Sequence, residues 1–297
     1  MSGAHFSAAW LRQREPFDSS ARDAAARRLQ LQARLRALRP PHGSPTRVID
    51  LACGTGANLR WLAPRLGGPQ QWLAVDHDAA LLRRWPERLG LAPGAAAFGA
   101  PLRFSGPGFQ AGIVRQQMNL ASRLDSLPWH AAHLVTASAL LDLVSLDWLQ
   151  RLVAVATAAR AALLFTLSVD GRHIWSPADP LDTAVAGLFG AHQHRDKGFG
   201  PALGAGAITA CRTLLQAAGY RVFSAASDWR LDGETDARAL ALQRALVDGI
   251  AAAATEQSPA SAAALRAWRQ RRRALCHTTR LRVGHVDLLA LPPGLAG

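Results

Sequence analysis

The chain has 297 residues, 49% of them hydrophobic, enough to bury a substantial core as one large or two small domains. No apolar run reaches the roughly 18 residues of a membrane span, and Cys53, Cys211 and Cys276 are widely spaced without a CxxC pair, which argues against a disulfide framework or a cysteine zinc cluster. A net charge of +13 would by itself suggest a nucleic-acid partner, but Lys197 is the only lysine and the arginines are spread along the chain, a skew that looks like high-GC coding bias.

The N-terminus has no basic-then-apolar signal pattern, so a cytoplasmic protein is expected. Arg14-Glu15-Pro16-Phe17-Asp18 reads as a lead-in to a helix over residues 19–38. Ser20 and Asp23 have capping-box-like spacing there, Leu31, Leu35 and Leu38 share one face, and Pro40-Pro41 stops the helix. Residues 1–45 are thus expected to form a helical cover, and 46–297 the main domain.

Val48, Ile49 and Leu51 form a short apolar run that predicts a buried parallel strand. Gly54 and Gly56 permit a tight turn, residues 58–66 read as a helix, and a second apolar run over 72–75 ends in Asp76, twenty positions after Gly56. Strand, glycine turn, helix, strand and acid is the layout of a nucleotide-binding βαβ unit, with the acid placed to accept from a ribose. A dinucleotide fingerprint would carry a third glycine where this chain has Leu59, and Asp50 before the turn suits a cationic group better than a pyrophosphate.

Beyond Asp76, a helix over 79–89, a loop over 91–108 and a strand over 113–118 ending in Asn119-Leu120 are expected. A strand over 133–138 follows, then Asp142, a helix over 146–159 and a strand over 161–169. Residues 170–200 read as a long loop, 202–218 as a helix, 220–224 as a strand and 280–291 as the last strand. Between those last two strands lies a helical insertion, 232–278, with helices over 236–255 and 258–274. The count predicts an α/β fold with a seven-stranded, mostly parallel sheet and helices on both faces.

The run Asp50-Leu-Ala-Cys-Gly-Thr-Gly56, with Asp76 closing the next strand, resembles the class I (Rossmann-like) S-adenosyl-L-methionine (SAM) methyltransferases. The likeness extends over most of the chain, including Arg14-Glu15-Pro16-Phe17-Asp18, to a little-characterised bacterial group with no known acceptor. The resemblance implies SAM as cofactor, with the turn (Asp50, Ala52, Gly54, Gly56, Asn58) under its methionyl part and Asp76 and His77 at the ribose. It also implies Asn119 and Leu120 at the adenine and Ser138 near the transferring methyl. Asp142 fits either an acid near the site or a helix start, and Arg14 and Glu15 either the acceptor or a solvated helix entrance.

In open α/β sheets ligands bind beyond the carboxyl ends of the strands, so the 170–200 stretch is expected to face the acceptor. His192 or His194 is expected as a general base, Arg195 or Lys197 as the ligand of an anionic part of the acceptor, and Trp175 and Phe199 as apolar walls. His173, His192 and His194 with Asp179 and Asp182 make a weaker case as metal ligands than as a pocket. The preferred acceptor is a small molecule with an oxygen or nitrogen nucleophile. The rivals are an RNA methyltransferase, drawing on Arg266, Arg269 and Arg271-Arg272-Arg273, and a non-catalytic SAM-binding protein.

Overall fold

The N-terminal segment becomes helical earlier than its sequence suggests. In the computed structural model, which describes residues 6–91 and 99–295, helix α1 spans Ala8–Arg28 and starts at Ser7, whose hydroxyl accepts the Trp10 N–H at 3.1 Å. Pro16 therefore lies inside the helix and not before it. An interior proline costs about 3 kcal/mol, so tertiary packing holds α1 together, through the buried face of Asp18, Ala21, Arg22 and Ala25. Gln30, in the left-handed region at φ 49°, breaks the expected single helix and starts α2 (Leu31–Arg36).

β1 (Thr46–Leu51), α3 (Ala57–Leu66) and β2 (Gly68–Asp76) form the expected βαβ unit. The second helix is split by Pro86 into α4 (Ala79–Arg83) and α5 (Trp85–Arg88). Of the expected loop over 91–108, residues 92–98 lie outside the described residues, and the remainder is corrected: it contains β3 (Leu102–Gly106). Leu102 and Phe104 alternate with exposed Arg103 and Ser105, and the Gly106-Pro107-Gly108 turn folds β3 antiparallel onto β4 (Phe109–Gln117).

α6 (Leu120–Arg123), β5 (Leu134–Ser138), α7 (Leu146–Ala158) and β6 (Ala162–Ser176) follow. β6 runs seven residues past its expected end at 169, and α8 spans Asp182–Gln193, so most of the 170–200 "loop" is strand and helix. A bulge carries β6 past Leu167, at φ 56°, whose N–H donates to Asp287 Oδ1 at 2.8 Å. Beyond it the strand pairs with the first half of the last one. α9 (Ala207–Ala217), β7 (Arg221–Ala226), β8 (Trp229–Asp232), α10 (Ala237–Gln257), α11 (Ala262–Leu275) and β9 (Arg280–Leu291) complete the chain.

The sheet has nine strands among the described residues, in the order β3-β4-β2-β1-β5-β6-β9-β7, with β8 also paired to β9. The core β4-β2-β1-β5-β6 is parallel, while β3 and β9 are antiparallel to their neighbours. The chain runs outward from β1 through β2 to β4 and then returns to β5, placing the topological switch point between β1 and β5. The two strands beyond the expected seven are β3 and β8, and the fold is the Rossmann-like one expected.

One core lies under α7 and α9, another under α2, α3 and Trp85, and a third joins α1, the end of β6, α8 and the insertion. In the third, Arg272 is fully buried against Trp175, pairs with Asp182 and donates to the Pro177 carbonyl at 2.8 Å. Arg271 pairs with Asp179, and Arg269 and Arg273 both pair with Asp248. Four of the five arginines between 266 and 273 thus hold the insertion together. No described helix is long and apolar enough to cross a membrane.

Candidate active site

The turn after β1 is held by two side chains, Asp76 and Trp85. Asp76, at the end of β2, accepts the Gly54 N–H at 2.8 Å through Oδ2 and the Asp78 N–H at 2.9 Å through Oδ1. Trp85 donates its indole N–H to the Gly54 carbonyl at 2.8 Å. Gly56 sits at φ 82°, and a Cβ there would lie 2.9 Å from the Trp85 ring, so both conformation and space require glycine.

Beneath the turn lies a buried polar layer. Asn58, on α3, donates to Asp50 Oδ1 at 2.8 Å and to Thr136 Oγ1 at 3.1 Å. Its own carbonyl accepts from Arg22 at 3.3 Å. Arg22 descends from α1, also donates to the Asp18 carbonyl at 3.2 Å and stacks over Trp61. Asp18 receives Arg14 Nε at 2.8 Å and the Trp229 indole N–H at 3.0 Å.

Asp50 Oδ2 has no hydrogen-bond partner among the described residues. Burial raises the Asp50 pKa to about 7, against the opposing pull of Asn58 and Arg22. Burial likewise raises Asp142 and Asp287 to about 6. The folded chain thus retains the Asp50 proton that an unfolded chain releases near pH 4, and stability present at low pH is lost as pH rises toward 7. Compared with Asp50→Asn, the wild-type chain is expected to lose about 1.4 kcal/mol per pH unit between pH 5 and 7 and to level off above. Urea titrations of both proteins across that range check this, and parallel pH profiles would remove Asp50 as the source.

Above the turn, at the carboxyl ends of β1, β2, β4 and β5, is a cavity of about 580 Å³. Ala52, Gly54, Asp76, His77, Asn119 and Leu120 line one half. Leu11, Arg14, Ser138, Leu140, Leu143, Lys197 and Phe199 line the other. Asn119 Oδ1 accepts the Ala121 N–H at 2.9 Å, which fixes the side chain and leaves its amide NH₂ and a second lone pair available.

Of the residues singled out in the sequence, ten meet on this wall: Ala52, Gly54, Asp76, His77, Asn119, Leu120, Ser138, Arg14, Lys197 and Phe199. Asp50 and Asn58 lie in the layer beneath, and Gly56 inside the turn on Trp85. The others are elsewhere. Trp175 is buried against Trp268 in the third core. His192 meets Glu256 at 3.0 Å, and the ring of His194 meets the Ala202 carbonyl at 2.9 Å. Arg195 donates to Gln257 Oε1 and the Glu256 carbonyl, both at 3.0 Å. Asp142 is buried behind the wall, its Oδ1 without a partner among the described residues. His173 packs edge-on against Phe189, while Asp179 and Asp182 hold arginines. Glu15 bridges Arg60 and Arg88.

Sequence reading missed Arg22, Trp85 and Leu11. Leu11 falls at helical spacing with Arg22 on α1 and would have stood out had the helix been read as starting before residue 19.

No protein-family model matches the chain, and no curated protein matches it in sequence. Solved structures of similar shape include a cyclopropane-fatty-acyl-phospholipid synthase-like protein from Lactobacillus casei ATCC 334, 13% identical, covering 98% of this chain and 96% of that one at a TM-score of 0.48. A putative sarcosine dimethylglycine methyltransferase from Galdieria sulphuraria is 14% identical, with 95% and 86% covered and a TM-score of 0.43. Phosphoethanolamine N-methyltransferase 2 of Haemonchus contortus, in complex with phosphomonomethylethanolamine and S-adenosylhomocysteine, is 11% identical at a TM-score of 0.43. That match covers 97% of this chain but only 58% of the Haemonchus chain. The sheet order by itself gives the chain a Rossmann-like α/β fold.

Proposed function

We propose that the chain is a SAM-dependent methyltransferase acting on a small-molecule acceptor. The observation that carries this reading is the continuity of one cavity, from the Asp76 carboxylate and the Gly54 turn past Ser138 to Arg14, Lys197 and Phe199. Such a cavity suits a cofactor at the switch point with an acceptor against its far end.

The residues suit SAM chemically. Asp76 faces the cavity as a ribose acceptor, Asn119 and Leu120 offer a polar edge and an apolar surface for adenine, and Gly54 keeps the backbone bare under the methionyl part. A Cβ at Gly54 would come within 3.3 Å of Leu11 from α1.

SAM supplies a methyl group already activated on a positively charged sulfur. The protein's part is to align the acceptor with that methyl and to exclude water. Ser138, Ala139 and Leu140 form the floor at the end of β5, and Leu11 with Phe199 closes over it. Trp148 holds Phe199 edge-on at 5.2 Å between ring centroids. His192 and His194 take no part in this scheme: neither lines the cavity, and one ring nitrogen of each is engaged, by Glu256 and by the Ala202 carbonyl.

The test is methyl transfer from labelled SAM in an extract of the source cells, separated into small-molecule, RNA and protein fractions. Label in the small-molecule fraction is the expected result. Label in RNA would replace the acceptor class, and SAM binding without label in any fraction would leave a cofactor-binding protein with no transfer.

A further inference from the structure

The acceptor half of the cavity has an uneven charge pattern. Its walls are apolar at Leu11, Leu140, Leu143 and Phe199, and its charged groups near the opening are Arg14, Lys197 and Asp196. Asp196 is partly engaged: its Oδ1 accepts the Gly198 N–H at 2.7 Å and the Gly200 N–H at 2.9 Å. Asp142 lies nearby, but its free oxygen is withdrawn from the surface. The other acids of the cavity, Asp76 and Asp78, stand at the end of β2 and the start of α4.

The two cations are differently held. Arg14 is anchored through Nε alone, which donates to Asp18 at 2.8 Å, and its guanidinium lies 5.4 Å from the Trp229 ring centre. Its two terminal NH₂ groups make no hydrogen bond among the described residues, so a fixed planar fork stands at the wall. Lys197 has no hydrogen bond or ion pair among the described residues, and burial and the nearby Arg195 lower its pKa. Its segment is fastened at the base to the insertion, where Arg195 grips Gln257 and Glu256 and His192 meets Glu256. The end of α10 therefore sets where the lysine stands.

We propose that the acceptor is a small organic oxyanion, seated with its charged group between Arg14 and Lys197 and its carbon frame on Leu11, Leu140, Leu143 and Phe199. This rests on the methyltransferase reading. A cationic amine with no anionic group would meet two positive charges against the single lining carboxylate of Asp196, half of which is tied to backbone N–H groups, whereas an oxyanion gains donors from both sides. Asp18 balances the charge of Arg14 but occupies only one edge of it, so the fork stays open to a carboxylate or phosphate.

The experiment passes the small-molecule extract over an anion exchanger before the full-length protein and labelled SAM are added, so that the acceptor and not its product is sorted. Acceptor activity is expected in the retained fraction. With that fraction, Lys197→Gln should need at least a tenfold higher concentration for half-saturation at unchanged SAM affinity, and Lys197→Arg should recover part of the loss. Arg14→Lys gives the second reading, with the fork removed and the charge kept. Activity confined to the flow-through, or an unaltered half-saturation in Lys197→Gln, would overturn the oxyanion assignment while leaving methyl transfer intact. SAM bound but no label in either fraction would overturn the transfer reading and this one with it.

Discussion

Asp76→Ala is expected to weaken SAM binding at least a hundredfold while the chain stays folded. The carboxylate has two duties, and alanine ends both. Facing the cavity, it is the acceptor that the proposed function offers to a ribose. Facing the protein, it ties the Gly54 and Asp78 N–H groups together at 2.8 and 2.9 Å, and so sets the spacing between the turn after β1 and the start of α4. Hydrogen bonds to a charged group contribute about 1.5–3 kcal/mol each, and the loss of two corresponds to roughly two orders of magnitude or more in affinity. Asp76→Asn separates the duties. An amide oxygen still accepts one backbone N–H, so the turn is partly kept, but one acceptor and the charge are gone, and an intermediate loss is expected. Calorimetric titration with SAM measures both variants. Wild-type affinity in Asp76→Ala would remove the ribose assignment and with it the placing of the cofactor.

The second large effect is on stability. Arg22→Leu should destabilise the folded chain by about 2–5 kcal/mol, because it leaves two buried acceptors, the Asp18 carbonyl and Asn58 Oδ1, unpaired at about 1–3 kcal/mol each. Arg22 is 1% exposed and lies on the face of α1 that covers the sheet. Burial lowers its pKa, Asp18 and Asp287 draw it back up, and Asp50 counts Arg22 among the charges that favour its own ionised form. Without the guanidinium the carboxyls are left to one another, and their protonation limits the loss at low pH. The deficit is therefore expected to be smaller at pH 5.5 than at pH 8, and Asp287→Asn in the same chain should return part of it. Urea unfolding at the two pH values measures this, with protease sensitivity of residues 8–28 as a local readout. A loss under 1 kcal/mol at pH 8 would mean that the buried layer does not depend on Arg22.

What was legible in the sequence was whatever depends on neighbours a few residues apart. The Val48–Leu51 run, the glycines after it and Asp76 specify strand, turn and strand through local pattern, and the structure has them in place. The last strand was read to the residue, because Arg280 to Val283 alternates polar and apolar residues, Leu288 to Leu291 is a continuous apolar run, and Pro292 ends it. The helix start was misplaced because the stretch around Pro16 reads locally as a lead-in, yet α1 runs through it, held by contacts from Asp18 and Arg22 to residues 36 to 211 positions away. Likewise, 170–176 reads as a polar loop, yet it is strand because β9 offers it a partner. The histidines around 192 drew notice for their chemistry, but their orientation is decided by Glu256 and Ala202, which no local pattern reveals. Trp85 escaped notice because the Gly54 carbonyl it binds lies 31 residues back.

The position of β9 also sets an order for synthesis. Among the described residues β7 has no sheet neighbour but β9, β8 pairs only with β9, and β9 fills the gap between β7 and β6. A chain emerging from the ribosome can close the β1–β6 half early, since those strands find partners already made. β7 and β8, however, must wait with open edges while the whole helical insertion is translated. Completion therefore comes in a single late event, when the final strand slides between two that were built well before it. Until then, the α1 helix, which lies against β7 and β8, has no finished surface on which to rest.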